Sequence, residues 1–172
     1  MKVTLFMAIS LNGMIAREDG SEDFLSYKNW ETFSGFVEEY KNFIVGSRTY
    51  EMVKNWDEDY GFHDFPNATK IVVSNDPEYS LDQGFVLASS PEDALGIMKQ
   101  RGFEHILLTG GAANNASFAQ TGLIDEIIFN INPVVIGSGI SLFKPADFQL
   151  ELELTESKEI SGGIVQLKYL VK

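Results

Sequence analysis

The sequence contains no cysteine, and this absence excludes several kinds of chemistry. Without a thiol the chain can form no disulfide framework, no thiolate zinc site, no iron–sulfur cluster and no cysteine nucleophile. Histidine is scarce as well, because the chain has only His63 and His105, which lie far apart in the sequence. We therefore expect no metal site.

Basic residues are few relative to acidic ones. The chain has 13 lysines and arginines against 25 aspartates and glutamates, so its formal net charge is −12. A protein that binds nucleic acid needs a basic face, and anionic membranes repel an acidic surface. We therefore expect neither nucleic acid nor a membrane as a partner.

Long apolar runs are absent too. No segment approaches the roughly 18 apolar residues that a membrane span needs. The apolar stretch 3–11 follows a single basic residue, Lys2, and ends at Asn12 and Gly13, which favours a buried first strand over a secretion signal. We expect a cytoplasmic protein. Because domains commonly have roughly 100–200 residues, we also expect a single domain over residues 1–172.

The sequence does contain a regular series of short apolar segments. Several have consecutive apolar positions, which is typical of strands that are covered on both faces of a parallel sheet. Beside turn residues, these segments predict strands at 3–11, 42–45, 70–74, 85–88 and 105–109. Helical patterns lie between them, at 30–40 with Asn29 as N-cap, at 49–55, from Ser90 to Gly102, and from Ala112 to Gly122.

The last third of the chain changes character. A strand is predicted at 125–132, and apolar residues alternate with polar ones at 150–155 and 165–171, as in half-exposed strands. Gly162 and Gly163 mark a hairpin turn between the last two. The sequence therefore predicts an α/β fold with a mixed sheet of about eight strands and a C-terminal antiparallel hairpin.

The strongest local signal is the segment 107–114, Leu-Leu-Thr-Gly-Gly-Ala-Ala-Asn, where a buried strand leads through two glycines into a helix. Glycines there allow a ligand to approach the backbone, and the free amides and dipole of the helix favour an anion such as pyrophosphate. The segment matches neither the Rossmann fingerprint nor a Walker loop. An ordinary tight turn is the alternative.

A second strand leads into a helix through Gly46, Ser47, Arg48 and Thr49. Hydroxyls, amides and a guanidinium at a helix start suit a phosphate. The alternative is a simple cap beside a surface arginine. Because a cation opposes the dipole at a helix N-terminus, the position of Arg48 in this acidic chain favours a bound ligand.

Two further segments contain glycine. Residues 10–16, with the polar stretch 17–23 that follows, indicate either a lid over a pocket or a plain surface loop. Residues 136–143 contain Gly-Ser-Gly, which favours a strand-end bulge over a phosphate loop. Since no Gly-x-Ser-x-Gly elbow is present, a serine hydrolase is not supported.

The segments 10–16, 46–51 and 108–112 occur together in this order, followed by Asn114, Phe118, the segment 122–127, Pro133, Gly137, Gly139, Leu142 and Phe143. In this combination the chain resembles the dihydrofolate-reductase-like fold, and within it the reductase domain of the bacterial bifunctional riboflavin-biosynthesis deaminase–reductase. The resemblance implies three layers with helices on both faces of the sheet, NADPH as cofactor, and a small-molecule substrate. It also implies a homodimer, with the tail strands and segment 137–143 as candidate interface elements.

The resemblance also assigns cofactor roles by position. It places the nicotinamide beside Ala8, Ile9 and Ile15, the cofactor phosphates beside Gly46, Ser47, Arg48 and Thr49, the adenosine ribose beside Ser74 and Asn75, and the pyrophosphate beside Thr109, Gly110, Gly111, Ala112 and Asn114. Arg48 is the implied partner of the 2′-phosphate. Members of the family often have a cis peptide between the two glycines.

A catalytic acid is harder to assign. Dihydrofolate reductases carry a carboxylate near the start of the helix that precedes the Gly-Ser-Arg-Thr segment, and here that position falls near Trp30, with Glu31 next to it. Asp23, in the lid-like stretch, is another acid within reach of a pocket. Glu31 and Asp23 are therefore the two candidate catalytic residues, and water is the alternative proton source.

One segment departs from the family pattern. Residues 55–60, Asn-Trp-Asp-Glu-Asp-Tyr, are acidic where riboflavin-pathway reductases carry an Asp-x-Pro-x-Leu-Thr-x-Arg-like stretch that helps to hold the ribose phosphate. We expect an NADPH-dependent reductase that transfers a hydride to a small pterin- or pyrimidine-like substrate, resembling 5-amino-6-(5-phosphoribosylamino)uracil reductase. Dihydrofolate reductase activity, or non-catalytic nucleotide binding on the same scaffold, are the alternatives.

Overall fold

The computed structural model describes residues 1–56 and 60–172, so residues 57–59 of the acidic segment lie outside the described part of the chain. The strands are β1 (Lys2–Ser10), β2 (Met14–Ala16), β3 (Asn42–Gly46), β4 (Thr69–Val73), β5 (Phe85–Ala88), β6 (His105–Leu108), β7 (Glu126–Asn132), β8 (Ile140–Ser141), β9 (Leu152–Ser161) and β10 (Ile164–Val171). The α-helices are α1 (Lys28–Tyr40), α2 (Ser47–Lys54), α3 (Pro91–Gln100) and α4 (Ala112–Gln120), and a short 3-10 helix covers Phe62–Asp64.

Eight strands form one mixed sheet in the order β5-β4-β3-β6-β1-β7-β10-β9. The six strands from β5 to β7 in this order pair in parallel, whereas β10 pairs antiparallel with both β7 and β9. The predicted α/β fold with an eight-stranded mixed sheet and a C-terminal hairpin is therefore confirmed.

The sheet separates two apolar cores. Leu107 and Leu108 are consecutive residues of β6 and both are fully buried. Side chains alternate between the faces of a strand, so Leu107 packs into the core beneath α1 and α2, whereas Leu108 packs into the core beneath α3 and α4. Coverage on both faces explains the consecutive apolar positions and confirms the three-layer arrangement.

Helix α1 begins earlier than predicted, and Asn29 is not its N-cap. Tyr27 occupies the cap position without a side-chain hydrogen bond, while Asn29 lies inside the helix and is buried. The amide Nδ2 of Asn29 donates to Oδ1 of Asn132 at 2.9 Å, and Oδ1 of Asn29 accepts from Nδ2 of Asn130 at 3.1 Å. The cap prediction is wrong because these partners on β7 use both ends of the Asn29 amide.

The segment that follows β1 is held against the body of the protein. Its strand β2 pairs antiparallel with β8 in a separate two-stranded sheet. Before β2, Asn12 accepts a hydrogen bond from the Ser10 hydroxyl at 2.8 Å and donates one to the carbonyl of Ile136 at 2.8 Å. The stretch 10–16 is therefore a tethered turn and strand, and residues 136–143 contain its partner strand.

None of the helices in residues 1–56 and 60–172 is both long and apolar enough to cross a membrane.

Candidate active site

The parallel strands β1, β3 and β6 end at the same edge of the sheet, and a cavity of about 710 Å³ opens there. Its walls come from β1, β2, the segment between β2 and α1, helices α1 and α2, and the loop after β6. Ligands of open α/β sheets bind outside the carboxyl ends of the strands. The position and size of the cavity therefore fit a site for a small molecule.

Helices α2 and α4 both begin at this edge without a capping side chain. Their N-cap residues are Gly46 and Gly111, and neither helix has an acidic residue in its first turn. Helix α3 differs, because the Ser90 hydroxyl accepts from the Asp93 amide at 3.2 Å and acids occupy its first turn. The free amides and dipoles of α2 and α4 thus leave two helix N-termini that suit an anion.

These two helix starts are in direct contact. A β-carbon on Gly46 would lie 3.0 Å from Cβ of Asn114, and one on Gly111 would overlap the Thr49 hydroxyl. The amide of Gly46 and Nδ2 of Asn114 both donate to the carbonyl of Gly110, at 2.8 and 2.9 Å. Glycine at positions 46 and 111 is what allows α2 and α4 to begin side by side.

The peptide bond between Gly110 and Gly111 is cis, as the resemblance led us to expect. Oδ1 of Asn114 is buried and has no hydrogen-bond partner among the residues that the structure describes.

Most of the residues predicted to bind the cofactor lie at this edge. Five of them line the cavity itself: Ala8, Ile15, Thr49, Thr109 and Gly111. Another six form the two helix starts: Gly46, Ser47, Arg48, Gly110, Ala112 and Asn114. Ile9 does not reach the cavity, because it packs with Ile15 and Ala16 in a small apolar cluster.

The residues predicted for the adenosine end lie on neighbouring strand ends. Gly46 pairs with Val73 in the β3–β4 ladder, so the first turn of α2 and the turn after β4 are adjacent. Arg48 is exposed and forms no ion pair with a described residue, and Asn75 is exposed. Ser74 is buried, and its hydroxyl accepts a hydrogen bond from the Asp76 amide at 3.2 Å.

The two carboxylates predicted to be catalytic take different positions. Glu31 points away from the cavity, where its exposed carboxylate pairs with Lys28 at 2.9 Å. Asp23 does line the cavity, but its carboxylate pairs with Arg17. The structure therefore brings only Asp23 to the site, and an arginine neutralises it there.

A third carboxyl group, Glu22, was not singled out by the sequence pattern. It lines the cavity beside Asp23, and burial raises the pKa of its carboxyl group to about 7. No described residue donates a hydrogen bond or an ion pair to its side chain. No sequence signal distinguishes Glu22 from its neighbours Glu18, Asp19 and Asp23, because its environment depends on how the whole segment folds.

Aromatic rings form part of the cavity wall. Trp30 of α1 lies 4.8 Å from Tyr60, 5.2 Å from Phe33 and 6.2 Å from Trp56 between ring centroids. All four residues line the cavity. The sequence predicted the helix at 30–40 that carries Trp30 and Phe33, but it did not show that these rings face a cavity. A wall of this kind favours a planar, ring-containing ligand.

This architecture is that of a dihydrofolate-reductase-like protein. The chain superposes on dihydrofolate reductase from Enterococcus faecalis, complexed with NADP(H), with a TM-score of 0.72 over 99% of this chain and 96% of that one. The sequence identity is 18%, so this likeness concerns the fold alone.

The chain belongs to the RibD C-terminal domain family, whose model matches residues 1–166. It is similar to YwjB of Bacillus subtilis (strain 168), an uncharacterized protein, with 34% identity over 173 residues that cover 98% of this chain and 97% of YwjB. The chain is also similar to a protein from Shewanella sp. PV-4 that is provisionally named as a riboflavin biosynthesis protein. Its crystal structure has 25% sequence identity and a TM-score of 0.83, and the match covers 100% of this chain and 99% of that one.

A larger enzyme shares the fold as well. The diaminohydroxyphosphoribosylaminopyrimidine deaminase/5-amino-6-(5-phosphoribosylamino)uracil reductase of Thermotoga maritima matches 99% of this chain with a TM-score of 0.76 at 18% sequence identity. Only 56% of that chain is covered, so this protein corresponds to about half of the Thermotoga enzyme.

Proposed function

We propose that the protein is a cytoplasmic, NADPH-dependent reductase that transfers a hydride to a C=N or C=O carbon of a small pterin- or pyrimidine-like substrate. The observation that carries the proposal is the pair of uncapped helix N-termini, α2 and α4, which meet beside a cavity with an aromatic wall. The helix N-termini suit the pyrophosphate of a dinucleotide. The cavity with its aromatic wall suits the nicotinamide ring and the substrate ring, which must stack for hydride transfer.

The residues at this edge offer suitable groups for the nicotinamide, the pyrophosphate and the 2′-phosphate of NADPH. Ala8 and Ile15 offer a small, apolar surface inside the cavity for the nicotinamide. The helix starts at Gly46 and Gly111 would hold the pyrophosphate, and the exposed guanidinium of Arg48 would hold the 2′-phosphate, since guanidinium groups bind phosphate oxygens in a bidentate manner. When bound, the cofactor supplies the hydride.

The protein's own contribution is to bind, orient and exclude water. The aromatic wall around Trp30 would hold the substrate ring parallel to the nicotinamide, and the close packing of the two helix starts would set the position of the cofactor. Holding two reacting carbons at contact distance is a large part of the catalysis that such an enzyme can provide.

NADPH titration tests this proposal directly. We expect the nicotinamide fluorescence to change on binding, and no binding at millimolar NADPH would contradict the proposal. The Arg48→Ala variant should lose affinity for NADPH much more than for NADH, because only NADPH carries the 2′-phosphate. Arg101→Ala, at the end of α3, is the matched control and should bind both cofactors as the wild type does.

Two alternatives remain within the same fold: dihydrofolate reduction, and nucleotide binding without catalysis. They are separated by NADPH oxidation with a panel of dihydrofolate, other pterins, the ribosylaminopyrimidine and simple carbonyl compounds. Turnover of dihydrofolate alone favours the first alternative. NADPH binding without any turnover favours the second.

We also propose that the protein forms a homodimer through its C-terminal hairpin. Strand β9 is at the edge of the sheet and is exposed along almost its whole length. Leu152 and Leu154 lie on it, opposite Val171 and Tyr169 of β10, and both leucines are exposed. An edge strand with exposed leucines is a surface that a second copy of the chain could cover.

A further inference from the structure

The segment between β2 and α1 presents three acidic residues to the cavity: Asp19, Glu22 and Asp23. Two of them are engaged within the segment. Asp23 forms an ion pair with Arg17, and Asp19 accepts hydrogen bonds from the amide and the hydroxyl of Ser21, at 2.9 and 2.7 Å. Glu22 alone of the three has a carboxyl group without a partner among the described residues.

The surroundings of Glu22 favour its protonated form. Burial raises the pKa of its carboxyl group to about 7, and no cation in the described ranges 1–56 and 60–172 counters this effect. Among the residues that the structure describes, the titratable groups that share the cavity are Asp19 and Asp23 on the same segment, and Tyr27 and Tyr60 on the adjoining walls. The cavity residues of α2 are Thr49, Met52 and Val53, which carry no charge.

Asp19 differs from Glu22 in this respect. Hydrogen bonds from Ser21 lower the pKa of the Asp19 carboxyl group, so this residue holds no proton near neutral pH. Glu31 faces solvent outside the cavity. Among the acids described near the site, Glu22 is thus the one that has both a proton to give and access to a bound substrate.

We propose that Glu22 is the catalytic acid that protonates the substrate during reduction in this cavity. The inference rests on the proposed function. The substrate carbon gains the hydride, its nitrogen gains the proton of Glu22, and the C=N double bond becomes a single bond. The electron pair comes from NADPH, which is oxidised to NADP⁺, and the Glu22 carboxylate regains a proton from solvent.

Glu22→Gln tests the assignment, because glutamine keeps the size of the side chain but has no acidic proton. We expect kcat for NADPH oxidation, with the best substrate of the panel, to fall about 100-fold or more. In the wild type kcat should decrease as the pH rises through about 7, and this dependence should vanish in the variant. Glu18→Gln, an exposed position of the same segment, is the control and should match the wild type.

A second measurement needs no substrate. Carbon-13 NMR of the glutamate carboxyl groups, assigned with the Glu22→Gln spectrum, gives the pKa of Glu22 directly. A value close to 7 supports the proposal, and an ordinary value of about 4.5 overturns it. So does a Glu22→Gln rate within about tenfold of the wild type.

Failure of the Glu22 assignment and failure of the proposed function give different results. Loss of the Glu22 assignment alone leaves NADPH binding and wild-type turnover intact. Absence of NADPH binding, or of turnover with every compound of the panel, overturns the proposed function and the role of Glu22 with it.

An independent observation concerns the charge of the cavity wall. No lysine, arginine or histidine is among the lining residues within 1–56 and 60–172, whereas three acids are. The nearby cations Arg17 and Lys28 are already paired, with Asp23 and Glu31. Binding of a phosphate monoester normally needs at least one cation or several free amides. In the proposed function the free amides of α2 and α4 hold the pyrophosphate of NADPH, so they are not available to a phosphate on the substrate.

We infer that the substrate of this cavity is a planar heterocycle without a phosphate group. Isothermal titration of the NADPH-saturated protein with 5-amino-6-ribosylaminouracil and with its 5′-phosphate tests this. The compound without phosphate should bind at least about tenfold more tightly. Ser26→Lys, which adds a cation to the wall, should narrow the difference. Tighter binding of the phosphate in the wild type, or binding of neither compound, overturns the inference.

Discussion

The Thr49 hydroxyl occupies the space that a β-carbon on Gly111 would need. The contact joins the first turn of α2 to the cap of α4, so with threonine at position 49 any side chain at position 111 forces the hydroxyl to move. Cβ of Thr49 would be 3.8 Å from that added carbon, an ordinary contact distance. The obstacle is therefore the hydroxyl alone.

This contact predicts a compensating pair of substitutions. Gly111→Ala should lower the free energy of unfolding by about 1–3 kcal/mol through overpacking. Adding Thr49→Ala should recover most of the loss, because it removes the atom that overlaps. Urea unfolding of the wild type, both single variants and the double variant measures the coupling. Strictly additive effects would contradict the prediction.

The carboxyl group of Glu22 predicts a pH dependence of stability. Its pKa is about 7 in the folded protein, above the ordinary value of 4.5, so between these values the folded state binds more protons than the unfolded state. The free energy of unfolding should therefore decrease as the pH rises from about 4.5 to about 7, with an upper limit of roughly 3 kcal/mol.

Urea unfolding at pH 5 and pH 8 measures this dependence in the wild type and in Glu22→Gln. The variant should lose less stability over the interval, because its side chain cannot ionise. Glu18→Gln, the exposed control, should follow the wild type. An equal decrease in Glu22→Gln and the wild type would show that the Glu22 carboxyl group is not desolvated.

The buried amide of Asn29 predicts a further loss of stability. Asn29→Ala removes the partner of Asn130 Nδ2 and the partner of Asn132 Oδ1, both of which are buried. Leaving such groups unpaired should cost about 1–3 kcal/mol. Asn67→Ala, at an exposed position, serves as the control in the same thermal or urea unfolding experiment. Equal stability of the two variants would argue against this network.

The exposed leucines of β9 predict a dimer that a carboxylate introduced at one of them would disrupt. Leu154 is 53% exposed, and Leu154→Glu should convert the dimer to a monomer in sedimentation velocity, because it buries a carboxylate in an apolar interface. Lys158→Glu places a carboxylate on the opposite face of the strand, where Lys158 pairs with Gln166 of β10, and should leave the dimer intact. A wild-type protein that sediments as a monomer would refute the proposed interface.

The sequence sufficed for the parts of the fold that local patterns encode. Consecutive apolar residues in β6 indicated a strand covered on both faces, and the cap at Ser90 and the hairpin at Gly162 and Gly163 follow from the preferences of single residues. The edge that carries Gly46 and Gly111 could be located as well, because each is a glycine between a strand and a helix.

The sequence was insufficient where long-range contacts decide. Asn29 has the local pattern of an N-cap, but its partners Asn130 and Asn132 lie about a hundred residues away. Glu22 is one acid among several in its segment, and only the folded cavity distinguishes it by removing water from its carboxyl group. Chemistry of this kind depends on tertiary surroundings that no short motif records.

The carbonyl of Gly110 accepts hydrogen bonds from the α2 cap and from α4 at the same time. Neither helix can tilt without straining a hydrogen bond to an oxygen that the other helix also contacts, so the two helix N-termini are held in a fixed relative position. In the proposed function, a dinucleotide would therefore meet a site whose two halves are aligned before it binds. The two mononucleotide halves of the dinucleotide, added as separate molecules, would gain no affinity from that alignment.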